Sequence, residues 1–138
     1  MNIGIHLKVA GALLLVLAAA HVFFPKRFQW REELSRLSLL NRQIFLVHCF
    51  FICLMLVLMG SLSAFYTDAL LQPSPLARLV LFGLTLFWGL RLLVQLFVYD
   101  RELWRGNRFN TVAHFLFTGL WSYCTAAYGG ALWLQFQV

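Results

Sequence analysis

The sequence predicts an all-α, polytopic membrane protein: four transmembrane helices in an up-and-down bundle, with the N- and C-termini outside. Three observations carry this expectation. Hydrophobic residues make up 62% of the 138 and charged residues 12%, against about 45–50% and about 25% in soluble domains; the mean hydropathy is +0.78. A chain this short has too little interior to hide so much apolar surface from water. The apolar residues also fall into four stretches, each near the roughly 20 residues that cross a bilayer core. Finally, the basic residues divide unequally between the connections.

The first span runs from about Ile3 to Phe24 and closes at Pro25. Within it Gly4, Gly11 and Ala18 recur on one face and predict a close helix–helix approach. The connection KRFQWREELSRLSLLNR follows, and a helix over about 28–40 fits a segment lying on the membrane surface, Trp and Leu toward lipid, Arg and Glu toward water. The second span runs from about Gln43 to Phe65. Gln72-Pro73-Ser74-Pro75 breaks the chain before the third, from about Leu76 to Val98. Polar YDRELWRGNRFN, residues 99–110, separates it from the fourth, from about Thr111 to Phe136. Such short connections make successive helices neighbours within a single domain, residues 1–138.

Charge gives the direction. Lys26, Arg27, Arg31, Arg36 and Arg42 follow the first span, and Arg101, Arg105 and Arg108 follow the third; the opposite side holds Lys8 and Arg78. By the positive-inside rule, loops 25–42 and 99–110 are cytoplasmic in a cell (inner) membrane, with Trp30 and Trp104 at the interface. The opening MNIGIHLKVAGALLLVLAAA also has the layout of a secretory signal peptide, whose removal after Ala20 would leave His21 first. The excess of basic residues after this stretch argues instead for a retained span.

The net charge of +6 would suggest nucleic acid in a soluble protein. Here the bases are dispersed among connections, with no basic stripe or recognition motif, and no nucleic-acid partner is expected. Cys49, Cys53 and Cys124 form no CxxC and no zinc-finger spacing. Cys49 and Cys53 share a helix face, where small thiols pack well. No HExxH, GxSxG, P-loop or strand-borne GxGxxG is present, so no catalytic residue is assigned.

The informative residues are polar ones inside the spans. Measured at the helical rise, His21, His48, Gln95 and His114 each lie about 6–9 Å inside the cytoplasmic end of a different span. Arg91 lies about 13 Å in, where an arginine costs about 2.5–3.5 kcal/mol unless it faces the bundle or a partner. All five acids (Glu32, Glu33, Asp68, Asp100 and Glu102) lie in connections, so no carboxylate shares its depth. Trp88, Arg91, Gln95 and Tyr99 line one face of the third span; His114, Thr118, Trp121, Thr125 and Tyr128 line one face of the fourth. These faces are expected to meet. His6 is expected at the outer interface, solvated.

Two functional classes follow. The first is an accessory or ligand-binding subunit of a membrane complex, partnered by the lipid bilayer and by other membrane subunits or further copies of itself. Its ligand-binding residues would be Arg91, Gln95, Tyr99 and Trp88. The second is a redox protein holding b-type haem or a transition metal through two or three of His21, His48 and His114, with Arg91 beside an acidic group of the cofactor. For each histidine the plainer alternative is a helix hydrogen bond, and for Arg91 a structural cation on carbonyls and water. A transport relay would need a continuous path of ionisable groups through the outer half of the bundle, where the sequence offers only His6, Lys8 and Arg78 near the span ends.

Overall fold

The computed structural model describes residues 2–100, 102 and 107–137. Among them the chain is all-helical: α1 (Ile3–Ala20), α2 (Phe24–Arg27), α3 (Trp30–Glu33), α4 (Leu39–Phe65), α5 (Thr67–Leu71), α6 (Pro75–Phe97) and α7 (Arg108–Leu134), with 3-10 turns at His21–Phe23 and Leu34–Arg36. Long helices overlie all four apolar stretches. Among the described residues three segments, Ile3–Arg27, Leu39–Phe65 and Pro75–Phe97, are long and apolar enough to cross a membrane. The 27-residue α7 has the length but not the apolarity, because its polar face dilutes it. Arg101, Trp104 and Arg105, which bore on orientation and the interface, lie outside the described residues.

The described chain divides into two compact units, Lys8–Tyr66 and Met1–Leu7 with Thr67–Val138. In the first, α1 and α4 run antiparallel and touch backbone to backbone. A Cβ on Gly11 would lie 2.6 Å from Ala64 N and 2.7 Å from Gly60 O; one on Gly60 would lie 2.9 Å from Leu15 Cγ. Small residues permit this approach, as the glycine spacing on the first span predicts. Most apolar side chains of α4 face outward, Phe50 and Leu58 being 63% and 55% exposed. Such a surface suits lipid rather than water.

The connection within this unit is built of short turns. Gln29 has φ 50°, the left-handed region, and its carbonyl accepts from Glu32 N at 2.9 Å and Glu33 N at 3.1 Å to start α3. Trp30 packs its ring edge-on against Phe45, centroids 4.9 Å apart. Leu37 is extended, interrupting the helix expected over 28–40, and Ser38 then caps α4 by accepting from Asn41 N.

In the second unit α6 and α7 pack antiparallel around Leu81, Leu84, Trp88, Gln95, Trp121, Cys124, Ala127 and Tyr128, all buried. Each helix starts on a side-chain cap. Ser74 Oγ accepts from Ala77 N ahead of α6, with Pro75 at the first helical position, and Asn107 Oδ1 accepts from Asn110 N ahead of α7. Beyond α7, buried Gln135 donates from Nε2 to Leu70 O at 2.9 Å and to Gln72 O at 3.1 Å. It thereby satisfies the Leu70 carbonyl in the last turn of α5 and the Gln72 carbonyl just beyond it. His6 differs from its expected solvated state: it is half-buried, with Nδ1 3.1 Å from the Tyr123 hydroxyl.

Candidate functional site

The two polar faces expected to meet do so in the α6–α7 pair, and Gln95 is their junction. Its side chain, 4% exposed, touches three partners. Oε1 accepts from Arg91 Nη1 at 3.4 Å and from Trp121 Nε1 at 3.4 Å; Nε2 lies 3.0 Å from His114 Nδ1. Guanidinium and indole are donors only, so they orient the amide with its oxygen toward them. The amide nitrogen then donates to His114 Nδ1, which makes His114 the neutral tautomer with its proton on Nε2. One glutamine thus fixes the protonation pattern of a ring on the neighbouring helix.

Arg91 is half-buried, and its other contacts are neutral too. Nη2 donates to the Tyr99 hydroxyl at 3.5 Å, and the guanidinium carbon sits 5.1 Å from the centroid of the Trp121 ring and 5.6 Å from that of Tyr99. Helical side chains lean toward the N-terminus, so Gln95 and Tyr99, one and two turns further on, lean back over the Arg91 turn. The charge is therefore drawn toward the end of α6, stacked on rings that stabilise a cation by about 0.5–2 kcal/mol. Among the described residues no carboxylate meets it.

Aromatic rings wall the cluster. Trp88 stacks on Trp121, centroids 4.9 Å apart and planes 15° from parallel, and Phe117 stacks on Trp121 at 5.6 Å and 12°. Trp88 is 1% exposed, and its Nε1 has no hydrogen-bond partner. A buried N–H without a partner costs about 1–3 kcal/mol. Trp121 stands outside the ligand set read from the sequence, yet it contacts Arg91, Gln95 and Trp88. Its position on the polar face of the fourth span with His114 and Thr118 was the available signal.

The three histidines differ. His21 Nδ1 and His48 Nδ1 each lie 2.8 Å from a carbonyl of their own helix, Leu17 O and Ile44 O. A carbonyl only accepts, so both rings carry a proton on Nδ1, which leaves Nε2 as the ring atom that could reach a metal or haem. His114 is the opposite tautomer, with its Nδ1 lone pair engaged by Gln95. The α1–α4 register (Gly11 against Gly60 and Ala64) sets His48 about 3–9 Å nearer the connection than His21. His21 packs on Phe24, centroids 4.4 Å apart. No group of three or more His, Cys, Asp or Glu among the described residues is arranged to hold a metal ion. All three cysteines are free thiols.

No known protein family, curated protein or solved structure matches this chain.

Proposed function

We propose that the chain is a four-span integral protein of the cell (inner) membrane that binds an anionic or strongly hydrogen-bond-accepting group at Arg91, as an accessory or ligand-binding subunit of a membrane assembly. In this reading α7 is the fourth span. Its polar face is spent on α6, while Val112, Phe115 and Leu116 face outward at 66–70% exposure, so a low mean hydropathy coexists with a lipid-compatible outer surface. Loops 25–42 and 99–110 then face the cytoplasm and both termini the outside. Other subunits or further copies of the chain are the expected protein partners.

The observation that carries the ligand is Arg91 itself: a cation inside an apolar helix whose contacts among the described residues are all neutral. An ionisable group in a span marks a functional site by default. The unsatisfied indole N–H of Trp88, one turn away, adds a second donor to the same helix face. Donors without acids select a carboxylate, a phosphate or a polar carbonyl.

Native mass spectrometry of the protein released from its own membrane tests this. An acidic adduct on the wild type that disappears in Arg91→Gln supports the reading; an adduct-free wild type, or one indifferent to Arg91, contradicts it.

Haem or metal ligation is kept as a second reading on one observation, the Nδ1–carbonyl bonds of His21 and His48, which leave each Nε2 for a ligand. Gln95 holds the third ring in the other form. An absorption spectrum and metal analysis of wild type and His48→Ala decide it: a Soret band or stoichiometric metal lost in the variant supports ligation, and neither in the wild type removes it.

A further inference from the structure

The connection between α1 and α4 carries a second feature. Where α2 hands over to α3, the left-handed backbone of Gln29 folds the chain back, so that Pro25, Lys26, Gln29, Arg31 and Glu32 line one shallow, open pocket. A non-glycine residue in this region costs of order 1 kcal/mol or more and is kept where the surroundings demand it. Trp30, set against Phe45, and Leu34, 9% exposed, hold the turn in place. Lys26 and Arg31 are exposed, and neither forms an ion pair among the described residues. In the same connection and at the start of α4, Phe28, Leu37, Leu39 and Leu40 are 43–65% exposed.

Position gives the pocket its chemistry. Lys26 and Arg27 end the apolar segment Ile3–Arg27, and the next apolar segment begins at Leu39. If both cross the bilayer, the pocket sits where lipid phosphates lie, with apolar side chains entering the acyl boundary beside it. A lysine, an arginine and a glutamine amide together supply the charge and donors a phosphate accepts. Glu32 on the rim disfavours a multiply charged soluble anion approaching from water. It is compatible with a singly charged phosphodiester held by its own acyl chains.

We propose that this pocket binds the phosphate of an anionic phospholipid, with Lys26 and Arg31 as the charge partners and Gln29 as a donor. The inference rests on α1 and α4 being spans and is independent of the Arg91 site.

The experiment compares lipid retention in nanodiscs of phosphatidylglycerol mixed with phosphatidylcholine. Wild type is set beside Lys26→Met/Arg31→Gln and beside Arg36→Gln/Arg42→Gln, an equal charge change outside the pocket. All altered residues of both pairs are exposed, and circular dichroism verifies folding. Preference for the anionic lipid should fall about fivefold for each pocket cation removed at low ionic strength, with a smaller effect at Arg36 and Arg42. Equal losses in the two double variants would overturn the pocket in favour of diffuse attraction. Binding of inorganic phosphate that depends on Lys26 and Arg31, without any lipid preference, would overturn the lipid as its source.

Discussion

Replacing Gln95 by leucine should be the most revealing single change in the α6–α7 pair. Leucine fills similar space on a 4% exposed site, so the loss isolates hydrogen bonding. Three contacts go: Arg91 Nη1 at 3.4 Å, Trp121 Nε1 at 3.4 Å and His114 Nδ1 at 3.0 Å. The Trp121 and His114 bonds join two helices, where each contributes about 0.6 kcal/mol on average and up to about 1.7 kcal/mol, giving about 1 kcal/mol for the two; the Arg91 contact lies within α6 and adds about 0.3 kcal/mol. Trp121, 4% exposed, would also be left with an orphaned N–H, which raises the total toward about 4 kcal/mol. Gln95→Glu behaves differently. It still accepts from Arg91 and Trp121, and His114 meets it by carrying the proton on Nδ1 instead, so less than about 1 kcal/mol should be lost. That variant also gives Arg91 a carboxylate, and so should weaken anion binding while sparing the fold. Reversible unfolding in mixed micelles by dodecyl sulfate titration measures both. A Gln95→Leu loss below about 0.5 kcal/mol, the level of an ordinary surface change, would refute the junction.

Gly11→Ala should destabilise the α1–α4 pair by about 1–3 kcal/mol, since its Cβ would fall 2.6 Å from Ala64 N; Gly83→Ala, whose Cβ meets nothing within 4 Å, should stay within about 0.5 kcal/mol in the same titration. Gln135→Leu leaves the Leu70 and Gln72 carbonyls without its amide, and hydrogen exchange should accelerate selectively across residues 67–75. His48→Phe removes an exposed helix back-bond to Ile44 and should cost under about 0.5 kcal/mol, unless a ligated group is lost with it.

Much of this was legible in the sequence, for identifiable reasons. The apolar runs located every long helix, and length and composition mark three of them as able to cross a membrane. The meeting of the Gln95 and His114 faces was readable because both lie at three- and four-residue spacings on adjacent antiparallel helices. The same spacing put Trp121 on the polar face of the fourth span but did not show its contact with Arg91, since a tryptophan on a helix face looks the same whether it packs on lipid or on a guanidinium. The tautomers of the histidines were also hidden: they depend on whether the nearest partner is a carbonyl or an amide N–H, which only coordinates provide. His6 and Tyr123 lie at opposite ends of the sequence, and no local pattern announces their bond. The interruption at Leu37 hangs on one extended residue in a polar stretch that carries helix formers on both sides.

The central claim is that α7 crosses the bilayer despite its polarity because α6 takes up its polar face. Single cysteines at Asn107 and Gln137, in a background with Cys49, Cys53 and Cys124 replaced, test it directly through labelling of intact cells with a membrane-impermeant maleimide. The account predicts that Gln137 is labelled from outside and that Asn107 reacts only after permeabilisation. Equal reactivity of the two positions from one side would contradict it.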